Sequence, residues 1–461
     1  MALQRMQKAA PLSFSFAAQK VRKAGPIDLF AFVPGIENVG RFVAGVAAEL
    51  GPAARHEFKE IAMRKWIIGI LGVLLVAGGI FWATADQDMR RLILHIPTNK
   101  NVLFWSIPQR DAAFRAMDRV PVISKFRVIS CGEKIYPLPK GSPLEVGTDV
   151  DAYMKDQRTA ALVIVHKGKV RLEKYGLDFR PGKRWTSFSV AKSFTSALVG
   201  AAIKDGYIKR IDDKVSDYIP ALRGSVYDDV TIKQLLTMTS GVKWNEDYAD
   251  PKSDVALFSA HKPEPGVDMT VSYMRKLKRE APPGTKWLYN TGETNLIGVL
   301  ISSATRKHLA DYLSEKIWKP FGMEQDASWL LGSNGHEISG CCIQASTRDF
   351  ARFGLFMLGG GIANGKPVLP DGWIAEATVK QTDTNQPGYG YGYLWWTWAD
   401  GAYMARGIFG QGIFIDPKRE LVIASNSNWP HATDRQGGDQ GEKRLAFYKQ
   451  VQLAIDREAA L

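Results

Sequence analysis

The chain has 461 residues, 45% of them hydrophobic and 23% charged, so it is long enough for a sizeable core and two or three domains. Its net charge is +13, but no Lys/Arg run is interleaved with aromatic residues, which argues against nucleic acid as a partner and favours an anionic membrane surface. The three cysteines, Cys131, Cys341 and Cys342, give no disulfide framework and no Cys-x-x-Cys metal site, and we expect the adjacent pair to be packed small residues rather than a bridge.

An uncharged stretch of twenty residues, Trp66 to Ala85, predicts a transmembrane helix. A helix of that length spans roughly 30 Å, the thickness of a bilayer core. Trp82 lies near its far end, and Arg64 and Lys65 precede it, which places the N-terminus in the cytoplasm. We expect a single pass in a bacterial inner membrane, with the C-terminal part facing the periplasm or exterior. A buried core helix and a signal peptide cleaved after Ala85 are the alternatives.

Composition divides the chain into four predicted segments. Prolines interrupt the short apolar stretches of the third segment, so we interpret it as an extended arm. The four are an N-terminal extension that is cytoplasmic or an upstream mis-start (1–65), the anchor or signal segment (66–85), a linker arm (86–141) and the main domain (142–461).

Strand patterns lie at both ends of the main domain and helical patterns lie between them. Two predicted strands flank the turn at 166–169, a helix follows near 186–206, and helices dominate from 231 to 313. Strand-like segments return at 389–398, 412–417 and 420–427, before a final helix. This order predicts an α/β protein of the α+β type: one antiparallel sheet whose first strands pair with its last, flanked by helices, with an all-helical region inserted.

A serine and a lysine lie three positions apart in the first of these helices, at Ser189 and Lys192. Residues i and i+3 share a helix face, so the two side chains can meet. A serine hydroxyl needs a base to become a nucleophile, and a desolvated lysine can supply one. Ser-x-x-Lys also occurs at Ser240 and Ser259, which we place in a helix-ending turn and a loop. The structural alternative for the first pair is a capping serine and a snorkelling lysine.

From about residue 144 onward, the chain resembles the serine beta-lactamase and penicillin-binding-protein-like hydrolases. The resemblance lies in three segments: "SFSVAKSFTSALVGAAIKDGYI", "VTIKQLLTMTSGVKW" and "PGTKWLYNTGETNLIG". The chain is most similar to class C-like esterases and 6-aminohexanoate-oligomer hydrolases. The resemblance implies a beta-lactamase-like fold, a Ser189-x-x-Lys192 first motif and a second motif at Tyr289, with Tyr289 and Lys192 together moving the serine proton. A lysine ammonium beside Tyr289 would favour its phenolate.

The third family motif, Lys-Thr-Gly, is absent, and "GIFGQ" from Gly407 occupies its place. The resemblance implies that the backbone N–H groups of Ile408 and Ser189 hold the oxyanion. The missing lysine argues against recognition of a beta-lactam carboxylate. We interpret Arg406 as a solvated charge at a strand end; the alternative is that it substitutes for that lysine as a cation. Tyr248 matches a tyrosine that closes over substrate in the oligomer hydrolases, and the acidic residues beside it either meet an amine or form a solvated loop.

These observations predict a membrane-anchored serine hydrolase that cleaves a small ester or amide through a Ser189 acyl-enzyme. No metal-binding His pair and no phosphate-binding loop occurs, so we expect no cofactor and no metal. The oligomeric state is open. Three alternatives remain: a penicillin-binding-like protein that binds cell-wall peptides, a D-peptidase or beta-lactamase, and a non-catalytic scaffold that retains the fold.

Overall fold

The computed structural model describes residues 52–123 and 125–460, and the chain divides into two units between Ala85 and Asp86. In the first unit, helix α1 spans Pro52–Thr84. Its Met63–Thr84 part is a predominantly apolar span of 22 residues and is not buried. By length and composition this helix can cross a membrane, and signal sequences have the same two properties. Most of the predicted N-terminal extension lies outside the described residues.

The second unit, from Asp86 onward, combines antiparallel strands with many short helices. Its strands are β1 (Phe126–Ile129), β2 (Thr159–His166), β3 (Lys169–Tyr175), β4 (Arg184–Thr186), β5 (Ala327–Leu330), β6 (Ile343–Ser346), β7 (Ile362–Ala363), β8 (Lys366–Pro367), β9 (Thr382–Asp383), β10 (Gly390–Tyr391), β11 (Trp396–Thr397), β12 (Tyr403–Gly407), β13 (Gln411–Asp416) and β14 (Leu421–Ser427). Its helices are α2 (Gln87–Leu94), α3 (Ile107–Ala113), α4 (Val150–Asp156), α5 (Ala191–Lys204), α6 (Val215–Tyr218), α7 (Ile232–Leu236), α8 (Asp254–Ala260), α9 (Met269–Met274), α10 (Thr291–Thr305), α11 (Leu309–Leu313), α12 (Lys319–Phe321), α13 (Thr347–Leu358), α14 (Trp373–Ala377) and α15 (Gln440–Ala459).

The main sheet has eight strands in the order β3-β2-β14-β13-β12-β11-β10-β9. Every neighbouring pair is antiparallel, and β2 meets β14 with Val163 opposite Ala424. The prediction that the first strands pair with the last is confirmed. Because the chain returns to its own first strands, the sheet joins the two ends of the main domain.

Both faces of this sheet are covered by helices, so its strands carry apolar residues on both sides. Leu162 and Ile164 of β2 pack with Phe447 of α15, whereas Val163 and Val165 belong to the core that contains α5 and α13. Successive side chains of a strand point to opposite faces, which explains the alternation. The sheet is therefore the middle layer of three.

The helices α6–α12 lie in the chain between β4 and β5, as the inserted helical region predicted from the sequence. They join the sheet through α5, which packs against α10 and buries Phe194 and Leu198 with Leu296 and Leu300. Small residues such as Gly200, next to the Trp373 ring, let α5 fit between its neighbours. The predicted α+β arrangement is confirmed. Ser259 lies within α8 rather than in the predicted loop.

Residues 86–141 are a packed part of the second unit, which corrects the interpretation of this segment as an extended linker arm. Phe114 is fully buried, and its ring contacts Trp185, Phe188 and Phe409 at centroid distances of 5.9, 4.9 and 5.5 Å. Its carbonyl accepts a hydrogen bond from the Thr186 amide at 2.9 Å. The apolar stretches between the prolines are short helices that support the turn carrying Ser189.

Candidate active site

Ser189 lies in a single turn of 3₁₀-helix, Phe188–Val190, between strand β4 and helix α5. Phe188 adopts a left-handed conformation with φ of +43°, which is uncommon for a residue with a side chain. Two hydrogen bonds fix the turn to β6: the Ser187 amide donates to the Ile343 carbonyl at 2.7 Å, and the Ile343 amide donates to the Ser187 side-chain Oγ at 2.9 Å. The sharp turn leaves Ser189 partly exposed between buried neighbours.

Lys192 is 2% exposed, and its ammonium nitrogen lies beside Ser189, as the spacing of the two residues predicts. Its Nζ lies 3.1 Å from Ser189 Oγ, 3.0 Å from Thr291 Oγ1 and 2.8 Å from the carbonyl oxygen of Gly340. Burial lowers the pKa of Lys192 to about 8, although the nearby Glu246 carboxylate acts in the opposite direction. Among the described residues it forms no ion pair, so this cation is held by neutral oxygens.

Tyr289 lies at the same point, next to the N-terminus of α10. Lys192 Nζ is 5.2 Å from the centre of its ring, and Tyr289 lines the same cavity as Ser189. Burial, reinforced by the Glu246 carboxylate, raises the pKa of Tyr289. This upward shift of the Tyr289 pKa is opposite to the expectation from the sequence, in which Lys192 lowers that pKa and favours the phenolate. The phenol is therefore protonated at neutral pH in this structure, because desolvation opposes its ionisation.

The loop after β-bridge residue Val242 places Glu246 and Tyr248 beside the site. The Glu246 carboxylate accepts hydrogen bonds from the Tyr248 hydroxyl at 2.8 Å and from the Thr291 amide at 3.0 Å, and also from Thr291 Oγ1 and Trp244 Nε1. Asp247 is exposed, and its carboxylate accepts from the Ala249 amide at 2.8 Å. Glu246 is thus directed inward and hydrogen-bonded four times, which argues against a wholly solvated acidic loop, one of the two alternatives for this segment.

The predicted oxyanion donors come from two backbone segments that touch. Ile408 begins a 3₁₀ turn directly after β12, and both Ser189 and Ile408 line the same cavity. A Cβ atom built on Gly407 would lie 3.1 Å from the Ser189 nitrogen and 2.6 Å from the Ser187 carbonyl oxygen. Only glycine permits this close approach, so β12 is seated against the Ser189 turn.

The cavity above Ser189 has a volume of about 750 Å³, and six aromatic rings line it together with charged and polar side chains. Arg406 lines it half-buried, with its guanidinium 4.9 Å from the centre of the Tyr389 ring and 4.7 Å from that of Trp396. This stacking corrects the interpretation of Arg406 as a solvated charge. The rings and charges that line the cavity are Trp244, Glu246, Asp247, Tyr248, Trp287, Tyr289, Trp396, Arg406, Trp429, Asp434, Arg435 and Arg444.

A family model described as "Beta-lactamase" matches residues 148–446. The chain belongs to the beta-lactamase family. The resemblance based on Ser189, Lys192 and Tyr289 is thereby confirmed for the family and the fold, and the chain is assigned as a serine hydrolase of this family.

Relatives of this beta-lactamase family member have several described activities. The 6-aminohexanoate-dimer hydrolase of Paenarthrobacter ureafaciens is 29% identical over 306 residues, which cover 62% of this chain and 77% of the relative. A Bacillus anthracis structure assigned provisionally to the same activity is 23% identical, with a TM-score of 0.66 over 77% of this chain and 95% of that one. A family VIII carboxylesterase structure is 18% identical, with a TM-score of 0.51 over 68% and 99% of the two chains. The two solved structures support the shared fold.

The structure also brings residues to the site that the sequence analysis did not select. Thr291 bridges Lys192 and Glu246, and the Gly340 carbonyl is the third oxygen around the ammonium group. Thr291 lies two residues after Tyr289 within the second motif, so the sequence could have indicated that it belongs to the site. Gly340 and Arg444 are distant in sequence, and no local pattern indicates them.

The sulfur atoms of Cys341 and Cys342 are bonded to each other, which contradicts the prediction of unbridged packed residues. The pair directly follows Gly340, so it lies one residue from a contact of Lys192. Cys131 is a free thiol. In the parts of the chain that the structure describes, no cluster of His, Cys, Asp and Glu side chains is suited to holding a metal ion.

Proposed function

We propose that this chain is a serine hydrolase that cleaves small esters or amides through an acyl-enzyme on Ser189. The observation that carries the proposal is the 3.1 Å contact between Ser189 Oγ and the buried Nζ of Lys192. With its pKa near 8, a fraction of Lys192 is neutral at physiological pH and able to accept a proton.

Acylation begins when neutral Lys192 takes the hydroxyl proton of Ser189 and Oγ attacks the substrate carbonyl carbon. The negative charge on the carbonyl oxygen is stabilised by the N–H groups of Ser189 and Ile408. Tyr289, a protonated phenol that lines the same cavity as Ser189, passes a proton to the leaving oxygen or nitrogen and regains one from Lys192. Water then attacks the acyl-enzyme with the same groups acting in reverse. Tyr248 contacts the substrate from the side of the cavity.

The test uses full-length protein in detergent micelles with a fluorophosphonate probe and p-nitrophenyl acetate. We expect labelling and multiple turnovers in the parent, neither in Ser189→Ala, and an unchanged result in Ser302→Ala, a control on α10 that does not line the cavity. Stoichiometric labelling without turnover would instead indicate a penicillin-binding-like binder. Absence of labelling in a folded parent would refute the proposal and favour a non-catalytic scaffold.

We rank esters and amides above beta-lactams because the Lys-Thr-Gly motif is absent. A chromogenic cephalosporin tests this ranking directly. A kcat/KM for the cephalosporin above that for p-nitrophenyl acetate would reverse it.

We also propose that α1 anchors the protein in a bacterial inner membrane, with the catalytic part outside the cytoplasm. The uncharged part of α1 from Trp66 onward, preceded by Arg64 and Lys65, supports this topology. Protease added to spheroplasts should release an active fragment from the outer face while carbonate washing leaves the intact protein in the membrane. An N-terminus at Asp86 in the mature protein would show cleavage of a signal segment instead.

A further inference from the structure

Helix α3 is bound to the loop at 428–432 that follows strand β14, which we call the exit loop. The Asn428 side chain donates to the Ile107 carbonyl at 3.3 Å and to the Asp111 carboxylate at 2.7 Å. The exit loop also forms part of the wall of the cavity that contains Ser189. Helix α3 lies before the residues that the family model matches, so this contact joins the N-terminal segment to the active-site region.

The Arg110 side chain connects α3 both with the exit loop and with the predicted oxyanion turn, Ile408–Gly410. Arg110 is 4% exposed, and its Nη2 donates to the carbonyl oxygens of Trp429 at 3.2 Å and Pro430 at 2.9 Å. Its guanidinium carbon lies 4.3 Å from the centre of the Phe409 ring. A desolvated guanidinium over an aromatic face is attracted to the ring, so one buried cation holds both segments.

The exit loop and the oxyanion turn are also bound to each other. The Phe409 amide donates to the Ala432 carbonyl at 3.0 Å, and the Trp429 amide donates to the Phe409 carbonyl at 3.2 Å. Phe409 has a φ of +58°, a left-handed conformation that persists in a residue with a side chain only where the surroundings hold it. Ile408 directly precedes Phe409, so a shift of Phe409 would move the Ile408 N–H.

We propose that Arg110 is a positioning residue of the hydrolytic reaction, which keeps the Ile408 N–H directed at the oxyanion by holding Phe409 and the exit loop. The inference rests on the proposed function and adds to it a side chain that does not line the cavity. A displacement of about 1 Å in a catalytic group can lower the rate by about 100-fold. Because the oxyanion forms only in the transition state, we expect kcat to fall while KM stays unchanged.

A second buried arginine of the same segment provides the matched control. Arg115 is also 4% exposed, but its Nε donates to the Asp111 carbonyl at 2.7 Å and its Nη2 to the Leu177 carbonyl at 2.9 Å. It therefore binds its own helix and the connection between β3 and β4 rather than the exit loop. Loss of Arg115 should lower stability without the change in kcat that a positioning role predicts.

The test measures kcat and KM for p-nitrophenyl acetate, together with Tm, on full-length protein in detergent micelles. Arg110→Ala should lower kcat by about 100-fold, with KM within about twofold of the parent value. Arg115→Ala should lower Tm but leave kcat within about threefold of the parent value. Millimolar guanidinium chloride should raise kcat of Arg110→Ala by at least about tenfold, because the planar ion can fill the vacated position, and should leave Arg115→Ala unchanged.

A second variant serves if Arg110→Ala does not fold. Phe409→Leu keeps an apolar side chain but removes the ring over which the Arg110 guanidinium lies, and it should lower kcat by about tenfold with KM unchanged.

A folded Arg110→Ala with near-parental kcat would overturn the positioning role. The same conclusion would follow from equal losses of kcat in Arg110→Ala and Arg115→Ala, from a loss that guanidinium does not reverse, or from an unchanged kcat in Phe409→Leu. In each of these cases a parent that is labelled at Ser189 by the fluorophosphonate would leave the proposed hydrolase function standing. An unlabelled, inactive parent would instead refute the hydrolase function itself.

Discussion

The pKa of Lys192 makes the pH dependence of acylation a direct test of its role as the base. At pH 7, a lysine with a pKa of about 8 is neutral in roughly 9% of molecules, against about 0.03% for an ordinary lysine of pKa near 10.5. Burial therefore raises the neutral fraction of Lys192 by about 300-fold. We expect kcat/KM for a neutral ester to rise about tenfold per pH unit below pH 8 and to level off above it.

Replacing Glu246 changes this profile in a direction that the structure fixes. Its carboxylate raises the pKa of Lys192, so Glu246→Gln should move the rising limb to lower pH. Asp247→Asn removes a neighbouring exposed charge and is the matched control, for which we expect the limb to stay in place.

The assay follows p-nitrophenyl acetate hydrolysis between about pH 6 and pH 10, with the spontaneous reaction subtracted and ionic strength held constant. The kcat/KM profile reports the ionisation of the free enzyme. Three results would refute the assignment of Lys192 as the base. They are a kcat/KM profile whose rise has its midpoint near pH 10.5, a profile that does not change with pH, and a midpoint that moves to higher pH in Glu246→Gln.

Three substitutions test the other parts of the site. Gly407→Ala should lower kcat/KM by at least about 100-fold, since the new Cβ would lie 2.6 Å from the Ser187 carbonyl oxygen and displace the oxyanion donors; near-normal esterase activity would contradict this. Tyr289→Phe should lower kcat by roughly 10²- to 10⁴-fold with little change in Tm, because only the proton-carrying hydroxyl is lost. Steady-state kinetics measure kcat and thermal melts measure Tm. A modest loss of activity would show that Tyr289 does not transfer the proton. Phe114→Ala should lower the free energy of unfolding, measured by denaturant titration, by about 3–5 kcal/mol. The control Phe126→Ala in the same segment should lower it by less than about 1 kcal/mol, because that ring is 42% exposed. Equal losses would mean that the segment does not support the core.

The sequence predicted the parts of the site that depend on local geometry. Ser189 and Lys192 meet because three residues of helix bring two side chains to one face, and that spacing is visible in the sequence. The alternation of Leu162 and Val163 between two cores likewise follows from the strand period. Tyr289 required the family resemblance, since nothing local distinguishes it from the other tyrosines.

Features that depend on distant segments were not predictable in the same way. The inward direction of Glu246 depends on donors from Thr291, 45 positions away. Arg406 and Arg444 come together only when α15 packs near β12, and neither has a motif. Phe114 lies among short apolar stretches whose helical structure depends on packing against Trp185, so composition alone indicated a linker.

The pairing of β2 with β14 has a consequence for how the enzyme acquires activity. Val163 and Ala424 are neighbours in the sheet but are separated by roughly 260 residues of chain, and closing so long a loop is entropically costly and slow. Ser189 lies near the start of this stretch and Ile408 near its end, so a chain that ends before β12 contains the nucleophile without its proposed second oxyanion donor. Hydrolytic activity should therefore appear only after nearly the whole polypeptide has been made, and a product that ends before β12 should be inert even though it contains Ser189, Lys192 and Tyr289.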